Sequence, residues 1–218
     1  MSSPQRRNAW LALFGVAFGV LEAAVVVYLR ELYYPDGFRF PIVIIEQRIA
    51  IIEVVRELAT LLMLLGVAMA AARNGMDGFF VFGFLFGVWD IVYYVGLWAF
   101  LGWPPSLMTW DVLFLIPVPW LGPVIYPVVV SLFLIAGFGV HERLQARGVA
   151  VQLTRGEWIA AGGGALLVIT AFCWNWRAVG AGIVPHSFPV AMFCAGMALG
   201  VLPFVRAGVR DGRSAEET

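Results

Sequence analysis

Charged side chains are scarce in this sequence, and lysine is missing altogether. Charged residues make up 13% of the 218 positions and the formal net charge is zero, whereas soluble domains carry roughly 25% charged residues. All 14 basic residues are arginine. Because no basic surplus exists, we expect no nucleic-acid partner. Two cysteines and two histidines do not make a disulfide framework or a zinc motif.

Motifs that assign a cofactor or a reaction are also missing. The sequence holds no P-loop, dinucleotide-binding or HExxH pattern, and no two histidines have the helical spacing expected of bis-histidine haem ligation. No serine or cysteine stands near a membrane histidine, so a nucleophilic triad is not predicted. The cofactor therefore stays unknown from the sequence.

Apolar side chains dominate what remains. They account for 61% of the chain, and the mean hydropathy is +0.88. Such a chain cannot cover its surface with polar groups in water, so its natural solvent is a lipid bilayer. We predict an all-α integral membrane protein with a single transmembrane domain over residues 1–218, placed in a bacterial cytoplasmic membrane.

Six segments are long enough to span a bilayer, which takes about 20 apolar residues. Arg6 and Arg7 precede the first, as in a signal peptide, but its apolar run is longer than a signal peptide's and predicts a retained helix. More arginines lie in the tails and in the loops after the second and fourth segments than in the other loops, which predicts cytoplasmic termini. The predicted spans are 9–32, 42–72, 78–102, 111–140, 157–177 and 186–206.

The fourth segment contains Pro117, Pro119, Pro123 and Pro127, each of which removes a backbone donor. In lipid, the freed carbonyl groups need partners within the protein or in a water-filled cavity. Two structures are consistent with this pattern. One is a broken or kinked helix across 116–127, and the other is a short re-entrant loop before a helix that begins near Pro127.

Helices one and three share the pattern F-G-x-x-F-G-V-x-[E/D] at an offset of 68 residues. It predicts a parallel repeat of helical hairpins, formed by helices 1–2 and 3–4, although the second helices show no convincing similarity. The G-x-x-x-G pairs within it allow close helix packing. Glu22 and Asp90 each lie three residues beyond the second glycine, and we expect both near a packed seam at similar depth.

Acidic side chains from four predicted helices point towards one region of the bilayer. Glu53 and Glu57 share a helix face beside Arg56, at 100° per residue, while Glu22, Asp90 and Asp111 come from other helices. An intramembrane carboxylate is a functional hypothesis by default, because burying a charge costs about 2.5–3.5 kcal/mol on insertion scales. One arginine cannot neutralise them all. The predicted binding residues are Glu22, Glu53, Arg56, Glu57, Asp90, Asp111, Tyr93 and Tyr94, and the candidate metal ligands are Glu22, Glu53, Glu57 and Asp90.

Three functions are consistent with such a site. The first is a transporter or channel-type site for a proton, a metal cation or a small cationic or apolar molecule. The second is a membrane enzyme whose carboxylates serve as metal ligands or as general acid and base on a lipid-like or quinone-like substrate. The third is a non-catalytic subunit of a larger membrane complex, and oligomerisation is compatible with all three.

Overall fold

A computed structural model describes residues 3–34, 47–181, 183, 185 and 187–216. The regular elements of these residues are helices and one short β-hairpin. In order, the elements are α1 (Ser3–Tyr33), α2 (Gln47–Ala71), α3 (Gly75–Leu101), β1 (Trp110–Phe114), β2 (Trp120–Pro123), α4 (Ile125–Ala146), α5 (Arg155–Cys173), α6 (Arg177–Ala181) and α7 (Val190–Glu216).

Five helices within the described residues are long and apolar enough to cross a membrane. These are α1, α3, α4, α5 and α7. The predicted second span, 42–72, lies partly outside the described residues, and α2 is not one of the five. A multi-pass helical membrane protein is therefore supported, whereas the sixth span and the orientation of the termini stay predictions.

Helix α3 packs against α1, α2 and α4. The approach of α1 is close because Gly19 faces α3: a Cβ atom at this position would lie 2.8 Å from the Trp89 carbonyl oxygen. On another side of α3, a Cβ atom at Gly87 would lie 2.6 Å from the Ser131 carbonyl oxygen of α4. The predicted glycine pairs thus lie at helix contacts, although the glycines of α1 face α3 and those of α3 face α4. The duplication of a hairpin stays a prediction.

The start of the predicted fourth span forms an antiparallel β-hairpin. Strand β1 pairs with β2 so that Asp111 lies opposite Gly122 and Val112 opposite Leu121. The single span over 111–140 is therefore wrong, and the alternative of an irregular segment before a helix near Pro127 is closer, because α4 begins at Ile125. Pro127 lies in the first turn of α4, where the backbone N–H has no helical acceptor, so proline is tolerated there.

Helices α5 and α7 pack against each other as a second group of helices. Their backbones meet at Gly164, where a Cβ atom would overlap the Gly200 nitrogen. Helix α5 begins with a capping box, in which Thr154 and Glu157 each accept from the other's backbone N–H. This cap satisfies two of the amide groups that every helix start leaves without a helical partner.

Candidate functional site

A cavity of about 950 Å³ lies between the two helix groups and the hairpin. All eight residues predicted for the binding site line it. Its five carboxylate residues, which are Glu22, Glu53, Glu57, Asp90 and Asp111, are all buried. The structure therefore brings them to one cavity, whereas their role in binding stays a prediction.

Arg56 links α2 to α1 through two carboxylates. Its guanidinium donates to Glu22 Oε2 and, through Nε at 2.9 Å, to Glu53 Oε2. The Thr60 hydroxyl donates to the other oxygen of Glu22 at 3.0 Å. Glu53 and Arg56 are three residues apart and so neighbours on one helix face, whereas Glu22 reaches them from α1. The predicted proximity of Glu22 to Arg56 is thus present in the structure.

In the part of the chain that the structure describes, Glu57 and Asp90 have hydrogen-bond donors but no cationic partner. Glu57 Oε2 accepts from the backbone N–H of Leu115 at 2.8 Å, where the chain leaves β1. Asp90 Oδ2 accepts from the Ser131 hydroxyl of α4 at 2.7 Å. Among the described residues, no arginine or histidine nitrogen lies within 4.0 Å of either carboxylate.

Asp111 has an arginine partner that the sequence analysis missed. Nη2 of Arg30, in the last turn of α1, donates to Asp111 Oδ1 at 3.1 Å, and the Arg30 guanidinium lies 3.7 Å from the ring centre of Trp103. The expectation of a single arginine, Arg56, beside these carboxylates is therefore wrong. The pair was hard to foresee because 81 residues separate its members.

The two predicted tyrosines differ in their contacts. The Tyr94 hydroxyl donates to Asp111 Oδ2 at 3.2 Å. Tyr93 lines the cavity and stacks on Trp89 with 6.2 Å between ring centres. Together they extend the polar part of the cavity from Asp90 to the hairpin.

Aromatic and aliphatic side chains line the rest of the cavity. Near the start of α3, Phe79 stacks on Phe204 of α7, with 5.3 Å between ring centres, and meets Trp158 of α5 edge to face. Nearer to the hairpin, Trp89 and Trp120 each bury an indole N–H that has no acceptor among the described residues. The cavity is thus acidic in one part and apolar in the other.

A second cluster of charges joins α1, α3 and α4 at the end of the bundle where α1 begins. Asp77 accepts from Arg7 at 2.7 Å and from Arg73 at 2.6 Å, and Glu142 accepts from both arginines. Arg73 lies in the loop between α2 and α3, and its hydrogen bond to Asp77 raises the pKa of its guanidinium.

His141, near the C-terminal end of α4, belongs to the same cluster. This side chain is buried, stacks on Phe80 with 4.3 Å between ring centres and places Nε2 3.3 Å from Asp77 Oδ1. Sequence reasoning missed this cluster because its members are spread from Arg7 to Glu142. A visible signal was Asp77 at the start of an apolar helix, close to Arg73.

A metal ion would need several ligand atoms close to one point. Within the described residues, the one group of three potential ligands within 4.8 Å of one another is Asp77, His141 and Glu142. Both of its carboxylates already accept from Arg7 and Arg73, so the arrangement fits an ion-pair network. The predicted ligands Glu22, Glu53, Glu57 and Asp90 do not form such a group in the described part of the chain.

Arg48 is exposed at the start of α2, and Glu46 and His186 lie outside the described residues. Comparison of the chain with known protein families, with curated proteins and with solved structures gives no match.

Proposed function

We propose that this protein is a small multi-pass membrane transporter that binds an organic cation at the carboxylates of its central cavity. In this proposal the chain spans the bacterial cytoplasmic membrane six times, with both termini and the cluster around Asp77 in the cytoplasm. The orientation rests on the distribution of arginines. The binding role rests on the charges of the cavity.

The main support for the proposal is the excess of carboxylates over arginines in the cavity. Among the residues that the structure describes, five acidic side chains and two arginines, Arg30 and Arg56, line it. Ion pairs involve Glu22, Glu53 and Asp111, while Glu57 and Asp90 accept only neutral donors among the described residues. A buried carboxylate without a cation is costly, so it either holds a proton or binds a cation. The cavity therefore favours positively charged solutes.

The walls favour an organic cation over a metal ion. A metal ion needs several oxygen or nitrogen ligands around one point, and the cavity carboxylates do not converge in that way within the described residues. The cavity is instead lined by aromatic rings, including Trp89 and Tyr93, whose faces attract organic cations. Its volume of about 950 Å³ is in the range of small-molecule sites.

Uptake of tetraethylammonium into proteoliposomes tests the role of Asp90 and Glu57. Asp90→Asn and Glu57→Gln keep an oxygen that can accept from Ser131 and from the Leu115 N–H, so the fold is expected to persist. Each variant loses one charge, and we expect uptake at low substrate concentration to fall by about 30-fold or more, since loss of a buried charge partner costs about 2 kcal/mol or more.

Glu31→Gln is the matched control, because Glu31 is exposed on α1 and does not line the cavity. This variant is expected to transport like the wild type. Uptake by both Asp90→Asn and Glu57→Gln at the wild-type rate would refute the proposal. Absence of tetraethylammonium uptake and binding in the wild type would also refute it and would favour the enzyme or complex-subunit hypotheses.

A further inference from the structure

The length of the cavity along α3 indicates the size of the solute, which the charges alone do not. Asp90 marks the acidic part, and Phe79 lies eleven residues earlier on the same helix, so the two differ in depth by about 16 Å. Both line the cavity. This distance is about half the ~30 Å thickness of a bilayer's hydrocarbon core and so matches the length of one lipid tail.

The apolar part ends at a cluster of rings. Phe79, Trp158 and Phe204 come from α3, α5 and α7 and contact one another, and Phe80 packs edge to face on Phe204 with 5.6 Å between ring centres. All four line the cavity. The cavity has carboxylates in one part and aromatic rings at the other end. This distribution of polarity is complementary to a single-chain amphiphile, which has a charged head and an apolar tail.

We propose that the cavity binds a cationic amphiphile with one hydrocarbon tail. Its positively charged head lies beside Asp90 and Glu57, and its tail lies along α3 towards Phe79 and Phe80. This inference rests on the proposed function, because the head uses the same carboxylates. It narrows the class of substrate from organic cations in general to cations with a hydrocarbon tail. The tail is about as long as one leaflet of the bilayer is thick.

The position of the bound tail tests this inference better than the affinity does. A hydrocarbon tail in a bilayer is already out of water, so its transfer into an apolar cavity brings little hydrophobic free energy. We therefore choose a photoreactive probe, dodecyltrimethylammonium with a diazirine on the terminal carbon. Protein in nanodiscs of zwitterionic lipid is irradiated with this probe, and the labelled residues are identified by mass spectrometry.

In the wild type, we expect the probe to label Phe79, Phe80, Trp158 or Phe204. Excess unlabelled tetraethylammonium is expected to prevent this labelling, because it competes with the probe for the position of the charged head.

A variant of Gly162 tests where the tail lies. Gly162 lines the cavity from α5, and a Cβ atom there would meet nothing within 4 Å. Gly162→Phe is therefore expected to fill the apolar part without a backbone clash. It should lower labelling of these rings about tenfold or more while the affinity for tetraethylammonium is kept.

Gly139→Phe is the matched control. Gly139 also lies within a helix, and a Cβ atom there would meet nothing within 4 Å, but this residue does not line the cavity. The substitution should leave labelling and tetraethylammonium binding unchanged. Labels confined to other residues, or insensitive to Gly162→Phe, would overturn this inference alone if tetraethylammonium still binds in an Asp90-dependent way. If tetraethylammonium does not bind at all, the proposed function itself fails.

Discussion

At the scale of single residues, the buried charges fall into two kinds. Arg30 with Asp111 and Arg56 with Glu22 are ion pairs that join separate elements. Glu57 and Asp90 each accept from one neutral donor among the described residues. Buried pairs add little net stability but are costly to break, because a lone buried charge remains. In the proposed function, the paired residues hold separate elements together and Glu57 and Asp90 bind the solute.

Removing one member of the Arg30–Asp111 pair tests the structural role of the paired residues. We expect Arg30→Met to lower the free energy of unfolding by about 3–5 kcal/mol, because it leaves Asp111 buried without its cation. In the purified protein this corresponds to a melting temperature about 10 °C lower. Adding Asp111→Asn should restore most of the loss, since no charge is then left alone.

Arg48→Met serves as the control, because Arg48 is exposed and its loss should not change the melting temperature. Equal melting temperatures for Arg30→Met and the wild type would show that Asp111 does not need the Arg30 cation in the folded protein.

Part of this residue-level picture could be predicted from the sequence. Glu53 and Arg56 are three positions apart on one helix, so their pairing follows from helical geometry. Arg30 could not be assigned to Asp111, because their contact depends on where the hairpin lies. The cluster around Asp77 depends in the same way on three helices meeting at one end.

At the scale of elements, glycines and prolines explain the departures from a plain bundle. The glycine pattern of α1 and α3 correctly predicted close helix contacts, because small residues are needed where backbones approach. The prolines of 117–127 predicted an interruption, but no local rule specified a hairpin. Its Leu115 N–H is satisfied by Glu57 of α2, a partner that sequence spacing does not reveal.

The close approach of α3 and α4 gives a prediction for Gly87. We expect Gly87→Ala to destabilise the protein by about 1–3 kcal/mol, because its Cβ atom would overlap the Ser131 carbonyl group and force the helices apart. Displacement of Ser131 also disturbs the hydrogen bond to Asp90, so tetraethylammonium affinity should fall. Thermal melting and equilibrium binding on the same samples measure both effects.

Gly66→Ala is the matched substitution, because nothing lies within 4 Å of a Cβ atom there. It should be neutral or stabilising by up to about 1 kcal/mol, the gain in helix propensity. If Gly87→Ala were as stable as Gly66→Ala, the close contact of α3 with α4 would be contradicted.

At the scale of the whole molecule, two groups of helices enclose one cavity. Helices α1 to α3 and the hairpin supply its carboxylates, and α5 and α7 supply rings such as Trp158 and Phe204 that complete its apolar part. The sequence predicted the membrane class and the acidic residues because composition and helical spacing are local properties. It could not predict the contribution of α5 and α7, since this depends on how distant helices pack.

The most direct test of the central claim is the affinity for tetraethylammonium, measured from about pH 8 to about pH 5 in the wild type and in Asp90→Asn/Glu57→Gln. Protons and the cation compete for the same carboxylates, so wild-type affinity should fall on acidification by up to about tenfold per pH unit. The double variant should bind weakly, with no dependence on pH over this range. Equal affinity and equal pH dependence in the two proteins would contradict the claim that these carboxylates bind the cation.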